Sequence, residues 1–344
     1  MDIQNHYYGH SAALARHAGL NSIRHIDGLV QHGWTVASPS LVHFADFARL
    51  PRTARRFVWS HSARGWDPSA DPFETVPIGA PFLYLSALAS TDVPHQRKST
   101  VVFPTHDTRI VRLDNDESAF AREIAEREGS AIICLHPEDL DRPEKRHVWT
   151  RFGHTVVSAG SRRDPLFLGR ILALVRSAPR VVSNLLSTAV IYAAAEGTET
   201  AIYGPEVSVG TLSTGVARRT RELWPEFHEE TGTGVRRQIA LAELGRKYLL
   251  APEDLRETLR WNRRSVGPFI QYWAGAPLRK AGAVLGLVRR PDGAQDAGSS
   301  AAPSVFLRHP LSHLPAKLPP LPLQADLLPE PLTPSSLSTD PAEF

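Results

Sequence analysis

Between Ser99 and Gly204 the spacing of apolar positions switches repeatedly between two periods. "STVVFPTHD" is short and β-branched, which predicts a strand. "DESAFAREIAEREG" has helical spacing, acidic residues early and Gly129 just past its end, which predicts a helix. "SAIICLHP" and "HTVVSAG" read as two further strands. "DPLFLGRILALVRSA" reads as a helix with Asp164 as N-cap and Pro165 at the first helical position. "RVVSN" is a strand, "LSTAVIYAAAEG" a helix closed by Gly197, and "TETAIYGPE" a strand. Strand and helix in alternation imply right-handed crossovers and a parallel sheet.

The flanking regions differ in character. Residues 1–96 are rich in histidine, with a helical pattern at Ser11–Ala18, an extended run at Gly28–Val36 and a strand at Arg56–Ser60. "TVPIGAPFLYLSALA" reads as a short approach, a Gly-Ala-Pro turn and a helix. Beyond residue 250, "APEDLRETLRW" starts a helix at a proline with acidic residues in its first turn. Gly267–Arg290 mixes apolar, aromatic and basic residues. It reads as a core helix with a basic end, a membrane-facing helix being the alternative. From about 291 to Phe344 the chain is rich in Pro, Ser, Ala and Leu, and disorder is expected. The expected division is therefore a first domain over 1–96, an α/β domain over 97–250, helices over 251–290 and a tail over 291–344, with a hinge near 90–98.

Composition narrows the function classes. A chain of 344 residues has room for two domains, and 42% hydrophobic with 22% charged residues is the profile of a globular protein with a sizeable core. The formal charge of +3 is too small for its length to argue for nucleic-acid binding. It is compatible with weak attraction to anionic ligands or an anionic membrane surface. The single cysteine, Cys134, excludes a disulfide framework and fits a reducing compartment. The polar, aromatic start "MDIQNHYYGH" has no signal-peptide core, and no stretch of about 18 consecutive apolar residues occurs, so a cytoplasmic location is expected.

In a parallel α/β sheet, ligands bind beyond the carboxyl ends of the strands. That rule selects Pro104, Thr105 and His106 after one strand, His136 and Pro137 after the next, and Ser183, Asn184, Ser187 and Thr188 after a third. Pro137 fits a first helical turn, so His136 stands at a helix entrance that favours an anion. Ser183, Ser187 and Thr188 present hydroxyls at another helix start. Together they make a phosphate or diphosphate clamp. Neither a Walker-type Gly-x-x-x-x-Gly-Lys nor a G-x-G-x-x-G after a strand is present. Plainer roles stay open: Ser183, Ser187 and Thr188 as simple caps, His136 as a capping or packing histidine, and Asp27 as a turn residue before Gly28. "HYYGH" pairs His6 and His10 at i,i+4 but lacks the glutamate of a zinc-protease helix, so no metal is expected there.

The order "QHGW", "VVFPTHDT", "CLHPEDL", "VVSNLLSTAVIYAAAEGTETAIYG", over roughly residues 28–205, resembles the GT-B transferases that build bacterial surface polysaccharides. Two branches are nearest: the CDP-glycerol glycerophosphotransferases, with a His-Gly motif and a His-Pro pair, and the bacterial sialyl- and polysialyltransferases, which share the His-Pro pair and a serine motif. The resemblance implies two Rossmann-like domains facing a cleft. It implies nucleotide-phosphate binding by His136 and Pro137, a serine motif at Ser183, Ser187 and Thr188, and a catalytic base at His32. In the sialyltransferase branch an acidic pair precedes a glycine; here only Asp27-Gly28 fits, which makes Asp27 the reserve base. Gln31 and Trp34 stand where the glycerophosphotransferase motif has a tryptophan before the histidine and Thr-Pro after the glycine.

The expected function is therefore transfer of a sugar or polyol phosphate from a CMP-, CDP- or UDP-linked donor to a polysaccharide or lipid-linked acceptor. No cofactor or metal is expected to be obligatory, since the resemblance implies a leaving phosphate stabilised by helix dipoles and side-chain donors. The expected site is His32 and Asp27 for catalysis, with Thr105, His106, His136, Pro137, Ser183, Asn184, Ser187 and Thr188 on the donor. Peripheral association with the inner membrane face stays open, as do a nucleotide-sugar epimerase that conscripts Asp27, His32 and His106, and a non-catalytic scaffold.

Overall fold

The computed structural model describes residues 3–43, 55–89, 99–106, 116–140, 142–205, 207, 214–262, 278 and 328–332. They form an α/β protein with two parallel sheets. The first sheet has three strands, β1 (Leu29–Val30), β2 (Arg56–Val58) and β3 (Thr75–Pro77), in that order. The second has five, β4 (Val101–Val102), β5 (Ile132–Leu135), β6 (Thr155–Ser158), β7 (Arg180–Ser183) and β8 (Glu199–Ile202), in the order β6-β5-β4-β7-β8 and parallel throughout. The chain enters this sheet at its centre and winds outward first one way and then the other. The crevice beyond β4 and β7 is consequently the topological switch point.

Helices flank the strands. They are α1 (His10–His17), α2 (Pro39–Val42), α3 (Pro81–Leu88), α4 (Glu117–Glu128), α5 (Pro137–Leu140), α6 (Pro143–Thr150), α7 (Phe167–Ser177), α8 (Thr188–Glu196), α9 (Thr214–Leu223), α10 (Thr233–Glu243) and α11 (Pro252–Thr258). Local chemistry sets several ends. Asp116 caps α4 by accepting from Ala119 N, and Gly129 follows at φ 72°. Gly197, at φ 78°, closes α8 in the left-handed region that glycine enters without a Cβ clash. Asp164 does not cap α7 directly. Its carboxylate accepts from Leu166 N at 2.8 Å, which makes a side-chain turn, and the helix starts at Phe167.

The extended run at Gly28–Val36 is strand only over Leu29–Val30; Gln31 N still donates to Phe57 O at 2.9 Å, and at Trp59 side chains take over the hydrogen bonds. Val30 N donates to Asn5 Oδ1 at 2.8 Å. Trp59 N donates to Gln31 Oε1 at 2.8 Å, and Trp59 Nε1 to Gln31 O at 2.9 Å. The approach before the Gly-Ala-Pro turn proves to be a strand, β3.

After the second sheet the chain returns to the first. Ser60 Oγ donates to Ala242 O at 2.7 Å and Ala80 N to Leu244 O at 2.8 Å. A Cβ on Gly245 would lie 1.9 Å from Trp59 O, so only glycine fits that crossing. Leu255, Leu259 and Trp261 then pack with Leu14, Phe57, Ile78 and Tyr84 in one buried cluster. Glu243, at 2% exposure, accepts from Trp34 Nε1 at 2.9 Å, Trp224 Nε1 at 2.8 Å and Arg64 N at 3.0 Å.

The expected hinge at 90–98 and the helix at 267–290 lie outside the described residues, apart from helical Leu278. So does the expected disordered tail, apart from residues 328–332, where the expectation is corrected. Leu332 N donates to Val156 O at 2.9 Å, and its side chain packs on the cluster containing Trp149 and Val156. An apolar residue with a free backbone donor suits the open edge of β6.

Replacing Glu243 by alanine strands two indole N–H groups and a backbone N–H in the core. Urea unfolding should show a loss of roughly 3 kcal/mol or more, at about 1–3 kcal/mol per buried group left unsatisfied. A loss below about 1 kcal/mol would mean that water or a neighbour replaces the carboxylate.

Candidate functional site

The carboxyl-end loops of the two sheets meet. His32 and Gly33 follow β1, and Trp34 N donates to Thr188 Oγ1 at 3.0 Å, at the start of α8. A Cβ on Gly33 would lie 3.6 Å from Thr188 Oγ1 and 3.4 Å from His43 Cε1, ordinary contact distances. His32 Nε2 is 3.3 Å from Nδ1 of His43, the residue that ends α2, with ring centroids 4.4 Å apart.

On the second sheet His106, after β4, stacks on His136, after β5. The rings are 3.7 Å apart and 5° from parallel. Tyr8 links this pair to the first sheet, with its ring 6.5 Å from His136, 6.4 Å from His32 and 4.9 Å from Phe167. Its backbone sits at φ 57°, a left-handed conformation costly for a non-glycine residue, and its N–H donates to Arg162 O at 2.6 Å. Gly9 follows at φ 72°, so close to Pro165 that a Cβ would lie 2.4 Å from the carbonyl oxygen.

The donor-side residues separate into two groups. Thr105 donates to Asn184 Oδ1 through both N (2.9 Å) and Oγ1 (2.6 Å), which ties the two loops at the switch point. Asn184 Nδ2 and Ser187 Oγ are buried without a hydrogen-bond partner. Ser187 holds the N-cap position of α8 yet makes no capping bond, so the first-turn N–H groups of α8 have no side-chain cap. Pro137 opens the four-residue α5 beside His136. Ser183 departs from expectation. It is fully buried, and its hydroxyl donates to Phe103 O at 2.7 Å, stitching β7 to β4.

Asp27 is corrected as well. It precedes β1 whereas His32 follows it, so the two stand at opposite ends of the strand, and Asp27 pairs with the Arg260 guanidinium. A carboxylate there does not reach the site that His32 enters.

Burial lowers the proton affinity of His136, His10 and His43. His136 is pushed down to about 2 by burial, then by the His106 and Arg162 charges. His10 falls to about 3 through burial and His32, and His43 lies well below the usual range for the same two reasons. His6 and His10 do not form a helical i,i+4 pair, because the chain kinks at Tyr7–Tyr8. His6 Nδ1 instead contacts Ser11 Oγ at 2.8 Å. Among the described residues, no group of three or more His, Cys, Asp or Glu could hold a metal ion. What the arrangement offers is neutral imidazole donors, hydroxyls, an uncapped helix start and the Arg162 cation, which together suit an anion.

The sequence motifs leave out Tyr8, His43 and Arg162, and bring in His10 only as half of the His6/His10 pair. The "YG" inside "HYYGH" was the available signal, since a glycine there permits the tight approach to Pro165. No protein-family model matches the chain, and no curated protein matches it significantly.

The buried histidines carry a pH prediction. His6 and His10 titrate at about 4 and about 3 in the folded chain but near 6.5 when unfolded. Below 6.5 the unfolded chain therefore binds the extra protons, and stability falls as pH drops. Urea unfolding at pH 5 should show about 1–2 kcal/mol less stability per histidine than at pH 7. Equal or greater stability at pH 5 would contradict these burial assignments.

Proposed function

We propose that the chain is a GT-B type transferase, with the two parallel sheets as nucleotide-fold halves. It moves a sugar or polyol phosphate from a CMP-, CDP- or UDP-linked donor to a polysaccharide or lipid-linked acceptor. The observation that carries this reading is the meeting of the carboxyl-end loops, with His32 from the first sheet against Thr188, and Tyr8 between His32 and the His106–His136 pair. The order of short motifs over residues 28–205, which resembles the surface-polysaccharide transferases, supports it independently.

In this reading the nucleotide phosphate lies against α8, where Asn184 Nδ2, Ser187 Oγ and the first-turn N–H groups supply donors, with His136, His106 and Arg162 alongside. Thr105 keeps Asn184 in place through its two hydrogen bonds, and Pro137 starts the turn that fixes His136. Ser183 has a structural role, since its proton is committed to Phe103 O. His32 takes the acceptor hydroxyl's proton as the oxygen attacks, and the phosphate leaves with the bonding electron pair. Donors aimed at that phosphate stabilise the charge that develops on it.

The epimerase alternative is less well supported, because Asp27 stands at the far end of β1. The scaffold alternative is answered by turnover. No helix among the described residues is long and apolar enough to cross a membrane.

A thermal-shift panel of CMP, CDP, UMP, UDP, GDP and TDP should raise the midpoint for the cognate nucleotide by mass action. His136→Ala should weaken that binding by about 1–3 kcal/mol. His32→Ala should leave binding nearly unchanged and slow transfer by about 10²–10⁴-fold. Binding without turnover in the wild type, over a panel of acceptors, would favour the scaffold. No shift with any nucleotide would end the donor assignment.

A further inference from the structure

We propose that Tyr8 is a specificity-determining residue, its ring the floor on which the donor's transferred group lies between His32 and the His106–His136 pair. This rests on the reading of His32 as the base and of His136 as a phosphate-side group.

The backbone of Tyr8 stands at φ 57°, ψ 19°, directly after an extended Tyr7. That left-handed conformation crowds Cβ against the backbone, so a tyrosine does not adopt it for local reasons. Contacts from both sheets impose it. Ahead of the turn, Asn5 Nδ2 donates to Gly28 O and Asn5 Oδ1 accepts from Val30 N, both at 2.8 Å, which ties the chain to β1. At the turn itself, Tyr8 N donates to Arg162 O at 2.6 Å and Gly9 closes on the Pro165 carbonyl. The strain persists because the surroundings over-determine the turn, a pattern concentrated at ligand-binding positions. A glycine would take the same backbone without strain. What the tyrosine adds is a ring.

That ring lies 6.4 Å from His32 and 6.5 Å from His136, centroid to centroid, and 4.9 Å from Phe167. Tyr8 is only half-buried, which leaves surface for a ligand. In a displacement, the acceptor oxygen and the leaving phosphate stand on opposite sides of the reacting atom. The acceptor O–H proton goes to His32, the oxygen bonds to that atom, and the bond to the nucleotide phosphate breaks with its electrons on the phosphate. With His32 on one side and His136 on the other, the group that changes hands passes over Tyr8. Tyr8 gives up no proton and forms no bond. The face of an aromatic ring is negative, so it suits C–H groups, which carry a small positive charge, and a pyranose or polyol presents several of them. The ring thus selects a C–H-rich transferred group and sets its distance from the base.

Calorimetric titration of the full chain tests this without turnover. The probes are CMP, CDP and UDP, and the linked donors CMP-N-acetylneuraminic acid, CDP-glycerol and UDP-glucose. Tyr8→Asn, whose side chain tolerates positive φ, should bind the free nucleotide with little change and the linked donor about 3- to 10-fold more weakly. Tyr8→Phe keeps the ring face and should match the wild type on both. In the wild type, saturating the protein's aromatic protons should transfer to the sugar or polyol protons of the bound donor, and deuterating the tyrosine rings should reduce that transfer. An equal loss for nucleotide and linked donor in folded Tyr8→Asn, or no loss for either, overturns the proposal. So does a Tyr8→Phe variant as weak as Tyr8→Asn, or transfer that tyrosine deuteration leaves unchanged, a result that decides the matter even where Tyr8→Asn does not fold. A wild type that binds none of the six probes overturns the proposal together with the donor reading, whereas the other results leave that reading standing.

Discussion

The carboxylate of Glu243 holds together parts of the chain that share no strand. Its three donors come from the loop after β1, from the loop after β2 and from the end of α9. Burying a carboxylate is costly, and burial raises its affinity for a proton, while the three N–H groups work the other way. Because α10 also packs along α8, the carboxylate fixes Trp34 relative to α8, and with it the contact of Trp34 N with Thr188. The relation between His32 and the second sheet follows from that contact. An alanine-sized change at one helix end would therefore be felt at the site through Trp34.

The second sheet was largely legible in the sequence. Four of its five strands have four residues, each with at least two β-branched ones, its helices carry full turns of apolar spacing, and Asp116, Gly129 and Gly197 mark ends by local chemistry alone. The first sheet was harder to read. Its strands are two or three residues long, and its edge bonds come from Asn5 and Gln31, partners whose proximity depends on the folded chain. The site shows the same division. His106, His136, Asn184 and Thr188 follow from the rule about strand ends. His43 and Tyr8 reach the site from other elements and carry no local signature. Asp27 was misread because a motif of adjacent residues ignores which end of the strand each occupies. Ser183 was misread because a strand-end hydroxyl can turn sideways to the neighbouring carbonyl as readily as outward.

The concentration of histidine has a common physical basis. A neutral imidazole offers one donor and one acceptor at a cost of burial far below that of a charge. His136, which burial holds neutral, stacks face to face on His106.

Leu332 on β6 bears on how the molecule behaves among copies of itself. A sheet of five strands has two open margins, and each is a template for pairing with another chain. At β8 the guanidinium of Arg236 occupies the Thr200 carbonyl, so a charged side chain guards that margin. At β6 the guard is a backbone bond from a residue more than 170 positions away, separated from the sheet by proline-rich chain. The protection of that margin is thus detachable in a way the other is not. Loss of the segment that carries Leu332 would free the Val156 carbonyl and leave the β6 margin open to pairing with another strand.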